Sequence, residues 1–226
     1  MMYGQMRDII QRVRTPRGDI QLQQRDSHYE IISNGTFLMA TYNGDSERLL
    51  VSAALKNTTA PKSVLIGGLG VGFSLAEALH HEQITQVTVI EIEEAIITWN
   101  RTHLAAFSNH ALKDSRTKII QADFLEWMET AAEKFDVICL DIDNGPDWTV
   151  TDSNTELYQM NTLHLLTGLL AFGGVLAFWS AASSQAFVEK LKKSFKEVQE
   201  IPVPQEKGEA DYIYLAKAPF PFSHYQ

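Results

Sequence analysis

An acidic loop near the middle of the chain holds the residues best suited to proton chemistry. Phe135–Leu140 is nearly all apolar, as is typical of a buried strand, and Asp141 follows it directly. Asp143, Asn144 and Asp147 lie in the same loop. Such a set of carboxylates and an amide can bind a cation, hold ammonium groups or supply a general base. A plain turn, in which Asp and Asn side chains bond their own backbone, fits the same residues.

The loop would suit the alkylation of an amine. That reaction needs a base, because a protonated amine has no lone pair with which to attack carbon. Asp141, nearest to the end of the strand, is the best candidate for the base, and Asp143, Asn144 and Asp147 are candidates to bind the amine. The ligand spacing of an EF-hand calcium loop is absent, and no other metal-ligand motif occurs, so we expect no metal.

A second candidate site lies where an apolar strand meets a helix. Residues 63–66 have the length and branching of a buried strand, and the turn that follows contains Gly67, Gly68, Gly70 and Gly72. Glycines between a strand and a helix bring backbone N–H groups and a helix N-terminus close to a ligand. A glycine pattern alone also fits a tight turn without a ligand.

Acidic residues end the next two predicted strands. Residues 87–90 lead to Glu91, whose carboxylate is placed to accept hydrogen bonds from ribose hydroxyls. Asp123 follows the third strand and can accept a hydrogen bond from the amine of adenine. Each has a simpler interpretation, since acids favour the first turn of a helix and Asp caps helices. Together with the glycine loop, the pair indicates a nucleoside cofactor.

The elements that must position these residues alternate regularly after residue 60. Helical stretches separate most of the predicted strands, which lie at residues 63–66, 87–90, 117–120, 135–140, 174–180, 198–203 and 212–216. This alternation predicts an α/β fold with a doubly wound, mostly parallel sheet of seven strands. The last two strands form a hairpin through residues 205–209. Ligand groups should gather at the carboxyl ends of the parallel strands.

The first 60 residues lack this alternation and predict a small antiparallel unit. Strand-like stretches surround the hairpin signal Asn34-Gly35, at residues 19–23, 28–32 and 36–41. Asp45 and Glu47 then suit the first turn of a helix. We therefore predict a small N-terminal unit at residues 1–60 and a Rossmann-like catalytic domain at residues 61–226.

Composition and charge limit the class of partner. The 226 residues carry a formal net charge of −9, which argues against nucleic acid and is compatible with a small cationic substrate. No signal-peptide pattern begins the chain. The apolar stretch 163–179 contains His164 and Gly173-Gly174, which favours helix, turn and strand over a membrane span. The single cysteine, Cys139, cannot form an internal disulfide, so we expect a cytoplasmic protein.

From about residue 35 to residue 179 the chain resembles the spermidine synthase family of polyamine aminopropyltransferases. The motifs that carry the resemblance occur in a fixed order, at residues 64–70, 89–93, 114–116, 121–123 and 135–141. The resemblance implies a sheet of the S-adenosylmethionine-dependent methyltransferase type, preceded by a small N-terminal β-domain. It also implies a homodimer.

The resemblance implies roles for individual residues. Glu91 would hold the ribose, Asp123 the adenine, and Asp141 would be the base for the attacking amine. The co-substrate would be decarboxylated S-adenosylmethionine, from which an aminopropyl group passes to an amine. Because the sulfonium is already an activated leaving group, the reaction would need no metal.

Departures from the family pattern leave two alternatives open. The family's glycine loop contains an aspartate for the aminopropyl ammonium, whereas residues 67–72 contain no acid. Asn144 stands where a second aspartate is common, and residues 46–49 replace a Tyr-x-Glu-Met-like helix start. An acid-free loop favours intact S-adenosylmethionine, and hence a methyltransferase of a small nucleophile. The other alternative is a non-catalytic protein that binds an adenosyl ligand.

Overall fold

Two β-sheets flanked by helices make up the part of the chain that the computed structural model describes, residues 7–205 and 208–221. The strands of the N-terminal sheet pair antiparallel in sequence order and are β1 (Asp8–Thr15), β2 (Gly18–Arg25), β3 (His28–Ser33) and β4 (Thr36–Ala40). The sequence predicted β2 to β4. It missed β1, an edge strand whose side chains are mostly exposed and therefore lack a clear apolar alternation.

The large sheet has seven strands, in the order β10-β11-β9-β8-β5-β6-β7. Its strands are β5 (Ser63–Gly67), β6 (Gln86–Glu91), β7 (Thr117–Gln121), β8 (Phe135–Leu140), β9 (Leu170–Ser180), β10 (Phe195–Val203) and β11 (Asp211–Pro219). Strands β5 to β9 pair parallel, and β11 runs antiparallel to both of its neighbours. The prediction of a doubly wound, mostly parallel sheet with a small N-terminal antiparallel unit is confirmed.

Helices cover both faces of the large sheet. They are α1 (Asp45–Lys56), α2 (Phe73–His80), α3 (Glu94–Arg101), α4 (Phe124–Thr130), α5 (Met160–Leu169) and α6 (Gln185–Ser194). The alternation of side chains along β5 divides the core accordingly: Val64 and Ile66 pack in the cluster that includes α1 to α3, and Leu65 packs in the cluster with α4 to α6.

The segment after the acidic loop differs from its prediction. The helix expected at residues 155–168 is a 3₁₀ helix, Asp152–Tyr158, followed by α5. The apolar stretch 163–179 is the end of α5 and most of β9, so the predicted helix and strand are confirmed. The expected turn is wrong, because β9 follows α5 directly and contains Gly173 and Gly174. No helix in the described ranges is long and apolar enough to cross a membrane. Of the predicted hairpin loop 205–209, residues 206 and 207 lie outside the described residues.

The strand order reverses beside β5, which pairs with β6 on one side and β8 on the other. In open α/β sheets, ligands bind in the crevice that such a reversal opens at the carboxyl ends of the strands. The N-terminal sheet contacts this edge through an ion pair of 2.8 Å between Arg17 and Glu93 and through Met39, whose sulfur lies 3.0 Å from the backbone nitrogen of Val71. The N-terminal sheet therefore covers the crevice.

Candidate active site

A cavity of about 470 Å³ lies between the carboxyl edge of the large sheet and the N-terminal sheet. The predicted site residues that line it are Gly68, Gly70, Glu91, Asp123, Asp141, Asp143 and Asn144. Residues of β4, among them Phe37 and Met39, line the opposite side. Of the other predicted residues, Gly67 and Gly72 do not line the cavity, and Asp147 is exposed outside it.

The glycine loop is held to both neighbouring strands. The carbonyl oxygen of Gly67 accepts a hydrogen bond of 2.9 Å from the backbone N–H of Asp141, and Gly68 donates at 2.9 Å to Ile90. Gly68 has a φ of +89°, and a Cβ atom there would lie 2.1 Å from the carbonyl oxygen of Asp141. Only glycine fits this approach. The loop and the candidate base therefore form one tightly joined unit.

The far end of the loop leads into α2. Gly72 is the N-cap of that helix, and the side-chain amide of Asn100 donates a hydrogen bond of 2.7 Å to the carbonyl of Gly70. The side chains between the glycines are apolar and buried: Leu69 is 4% exposed and Val71 is fully buried. The loop therefore presents backbone groups to the cavity and offers no carboxylate to a ligand.

Glu91 is hydrogen-bonded both to the glycine loop and to the residues that follow β6. Its Oε2 accepts a hydrogen bond from Leu69 N–H and its Oε1 accepts one from Glu93 N–H, each at 2.8 Å. The residue is 5% exposed, and this burial raises the pKa of its carboxyl against the opposing effect of the two hydrogen bonds. Each oxygen keeps a lone pair that can accept a further bond from a ligand in the cavity.

Asp123 caps a helix at the rim of the same cavity. Its Oδ1 accepts a hydrogen bond of 2.8 Å from the backbone N–H of Leu125, and its backbone carbonyl accepts from Trp127 at 2.9 Å. The side chain therefore performs the cap that the sequence left as an alternative. The residue also lines the cavity beside Ala122 and Phe124, which supply apolar surface for a flat ring.

Asp141 belongs to a set of three carboxylates that converge on the cavity from separate elements. Burial raises the pKa of Asp141 well above its ordinary value, and the charges of Glu47 and Asp211 raise it further. Glu47 comes from α1, which packs against β8, β9 and β11. Asp211 is the first residue of β11, whose antiparallel direction brings its start to the carboxyl edge of the sheet. We call these three residues the acidic trio.

Glu47 and Asp211 are the members of the trio that sequence reasoning missed as site residues. Glu47 was interpreted as helix-start chemistry; it is 7% exposed, accepts a hydrogen bond of 2.9 Å from the Ser46 hydroxyl, and lines the cavity. Burial raises the pKa of Glu47 to about 7. Burial also raises the pKa of Asp211, whose Oδ2 accepts from the Gln205 amide at 2.5 Å. The sequence signal that could have located Asp211 was the predicted closing hairpin, because the hairpin sets the direction of β11 and so places the start of that strand at the carboxyl edge of the sheet.

The remaining residues of the acidic loop differ in their surroundings. Asp143 lines the cavity, but its two oxygens accept hydrogen bonds from the loop itself. Asn144 lines the cavity, and its carbonyl accepts from Ala181 N–H at 2.9 Å. The structure does not bring Asp147 to the cavity, because its carboxylate accepts a hydrogen bond of 2.8 Å from Ser184, the N-cap of α6.

The charge of the cavity is strongly acidic. Among the described residues that line it, eight are Asp or Glu and Arg17 is the only Lys or Arg. Arg17 is already paired with Glu93. A cavity lined by one sign of charge concentrates ligands of the opposite sign, so this one favours a cation.

The fold and the site define a class: a methyltransferase-type α/β sheet with a glycine loop and an acid at the end of β6. The comparison with known families agrees, since the family model described as "Spermine/spermidine synthase domain" matches residues 45–204. The match begins at the first residue of α1. The chain belongs to the spermine/spermidine synthase domain family, as the sequence predicted.

Curated relatives carry the names of aminopropyltransferases. A polyamine aminopropyltransferase of Saccharolobus islandicus is 28% identical over 158 residues, which cover 69% of this chain and 50% of the relative. Polyamine aminopropyltransferase 2 of Ralstonia nicotianae is 26% identical over 149 residues, 64% of this chain and 29% of the relative. The chain thus spans half or less of the length of these relatives.

Solved structures share the fold. The spermidine synthase from Thermotoga maritima superposes with a TM-score of 0.76 at 18% identity, covering 93% of this chain and 73% of that chain. A spermidine synthase in complex with the transition state analogue AdoDATO gives a TM-score of 0.77 at 19% identity, covering 93% and 74%. At these identities the likeness establishes the fold.

Proposed function

We propose that this protein transfers an aminopropyl group from decarboxylated S-adenosylmethionine to a small amine, with Asp141 as the general base. The observation that carries the proposal is the acidic trio in a cavity that also contains Glu91 and Asp123. An acidic pocket beside a nucleoside site suits a cationic acceptor and an adenosyl donor. Family membership and the names of the relatives support the same reaction.

The donor would be bound by the glycine loop and the two acids that follow β6 and β7. Glu91 has lone pairs left for the ribose hydroxyls after bonding to Leu69 and Glu93. Asp123 has one oxygen engaged by the helix cap, and its other oxygen is available to the amine of adenine. Gly68 and Gly70 line the cavity, so the donor would meet the backbone of the loop there.

The transfer step would need alignment and the removal of one proton. The acceptor nitrogen attacks the aminopropyl carbon that is bonded to the sulfonium sulfur, that carbon–sulfur bond breaks, and its electron pair leaves with sulfur as neutral methylthioadenosine. Asp141 accepts the proton that the ammonium must lose before its nitrogen can attack. Holding the amine in line with the carbon contributes the larger share of the rate enhancement.

The acceptor would lie against the acidic trio. Its charge would stabilise the ionised forms of Glu47 and Asp211, which burial otherwise disfavours. Asn144 lies at the same side of the cavity and can bond a second polar group of the amine. For the chain as a whole, we propose residues 61–226 as the catalytic domain and residues 1–60 as the unit that covers it. The packing of α1 on the large sheet supports this proposal, because it brings Glu47 to the cavity.

A methyltransferase is the second candidate. The glycine loop favours it, because Leu69 and Val71 are apolar and buried and no acid is available there for the ammonium of a decarboxylated donor. Intact S-adenosylmethionine keeps its own carboxylate and gains nothing from an acid at this position.

One comparison of donors separates the two candidates. The protein is incubated with decarboxylated or with intact S-adenosylmethionine and a mixture of amines, and the nucleoside product is identified by mass spectrometry. Methylthioadenosine formed only from the decarboxylated donor supports aminopropyl transfer. S-adenosylhomocysteine formed from the intact donor supports the methyltransferase. Binding of either donor without product would identify a non-catalytic protein.

A further inference from the structure

Asp143 lies two positions after the candidate base and faces the cavity, where a carboxylate would be expected to meet the substrate amine. Its hydrogen bonds point to a different role. Oδ1 accepts from the backbone N–H groups of Asn144 at 2.7 Å and Val150 at 2.6 Å. Oδ2 accepts from Thr151 N–H at 3.4 Å and from the side-chain amide of Asn154 at 2.5 Å. Four donors therefore surround one carboxylate.

All four donors belong to the segment 144–154, which forms one wall of the cavity. Val150, Thr151, Ser153 and Asn154 line the cavity from this segment. A carboxylate has about four lone-pair sites, so an Asp143 with four partners has little capacity left for an ammonium group. Bonds from N–H groups to an ionised carboxylate are also stronger than neutral ones.

The rest of the segment is fixed from outside the cavity. Ala181 N–H donates to the carbonyl of Asn144 at 2.9 Å, and Ser184 donates to Asp147 at 2.8 Å. These contacts tie the outer side of the loop to the end of β9 and the start of α6. On the inner side the corresponding tie is Asp143, which bridges from the end of β8 to Val150 and Asn154.

We propose that Asp143 is a positioning residue that holds residues 144–154 as a preformed wall on the acceptor side of the cavity. The segment begins three residues after Asp141, so its path sets the space next to the candidate base. This inference rests on the proposed function for the identity of the acceptor, whereas the hold on the segment is a property of the free protein. The two parts can therefore be tested separately.

The test uses the full chain with Asp143→Asn and, as control, Asp152→Asn, an equal charge change at an exposed position in the same region. Amide hydrogen exchange is measured without ligand. Replacing a carboxylate oxygen by an NH₂ group opposes the N–H donors, so we expect exchange at Val150 and Thr151 to be roughly ten-fold faster or more. Amide exchange in β8 should not change in Asp143→Asn, and no amide of Asp152→Asn should exchange faster than in the wild type. Unchanged exchange at Val150 and Thr151 would overturn the proposal.

The second readout is acceptor recognition. With a panel of linear diamines, we expect Asp143→Asn to raise the acceptor KM while the affinity for methylthioadenosine stays the same. A raised KM with unchanged exchange would make Asp143 an ammonium ligand instead. Faster exchange with an unchanged acceptor KM would overturn the wall's role in recognition. If no amine is turned over, diamine binding by calorimetry takes the place of KM, so a failure of the proposed function remains distinguishable.

Asn154→Ala provides an independent variant in case Asp143→Asn does not fold. It removes one of the four donors and leaves the carboxylate in place. We expect a smaller increase in exchange at Val150, and a double variant whose effect is less than the sum of the single effects. Full additivity would show that the two side chains act separately and would contradict the proposal.

Discussion

Glu91 Oε2 accepts a hydrogen bond of 2.8 Å from the backbone N–H of Leu69, within the glycine loop. The acid proposed to hold the ribose therefore also fixes the loop proposed to hold the rest of the donor. Its second oxygen does the same for Glu93 N–H. Both donor binding and the stability of the glycine loop should therefore depend on the Glu91 side chain.

Glu91→Ala should weaken both. The substitution leaves the buried N–H of Leu69 without an acceptor, at a cost of about 1–3 kcal/mol, and the part-buried N–H of Glu93 without one at a smaller cost. We expect a lower free energy of unfolding and at least a roughly ten-fold loss of affinity for methylthioadenosine, measured by denaturation and calorimetry. Glu94→Gln, at an exposed site in α3, is the control and should change neither. An Ala variant with unaltered nucleoside affinity would remove Glu91 from the donor site.

Gly68→Ala tests the close approach between the glycine loop and Asp141. The added Cβ would lie 2.1 Å from a backbone oxygen, in addition to the strain of a φ of +89°. Gly35→Ala is a matched control, since its φ is +81° and a Cβ there meets nothing within 4 Å. We expect the control to cost about 1–2 kcal/mol through strain alone. Gly68→Ala should cost clearly more and abolish nucleoside binding; equal costs would show that the loop can move away from Asp141.

The pH dependence of transfer should reveal the acidic trio. Asp141 must be ionised to act as a base, and burial with the charges of Glu47 and Asp211 raises its pKa. We therefore expect kcat/KM to rise with pH around a midpoint above the ordinary range of an aspartate, about 3.9. Glu47→Gln removes one neighbouring charge and should move that midpoint to lower pH. A midpoint that stays in place in the variant would contradict the coupling.

The same glutamate should make stability fall as pH rises. The pKa of Glu47 is about 7 in the folded protein, above the ordinary value of 4.5, so the folded state binds the proton more tightly. The stability that the protonated Glu47 contributes is therefore fully present below about pH 4.5 and is lost as pH rises towards 7. Glu47→Gln should raise the free energy of unfolding by roughly 1–3 kcal/mol at pH 8 and by little at pH 4. A variant less stable than the wild type at pH 8 would contradict this.

The fold and the residues that end its parallel strands could be predicted from local signals. Buried parallel strands such as β5 and β8 are continuous apolar runs, and the residues that follow them lie at one edge of the sheet by topology alone. Glu91, Asp123 and Asp141 were predicted in this way to lie together, and all three line the cavity. The glycines between β5 and α2 were found because few residues tolerate that backbone.

Two carboxylates of the cavity, Glu47 and Asp211, could not be predicted, because their positions depend on contacts between elements distant in sequence. Glu47 reaches the cavity through the packing of α1 on the large sheet, and Asp211 through the antiparallel direction of β11. Asp147 has the same residue type and loop as Asp143, yet one bonds to α6 and the other to its own loop. Side-chain direction within an irregular loop leaves no periodic signal in the sequence.

The most direct test of the account follows the transferred group itself. Decarboxylated S-adenosylmethionine labelled with carbon-13 in its aminopropyl group is incubated with a panel of amines and either the wild-type protein or Asp141→Asn. We predict labelled aminopropyl adducts of at least one amine with the wild type, and nucleoside binding without transfer with Asp141→Asn. Label that stays in the donor with every amine, or equal transfer by the two proteins, would contradict the account.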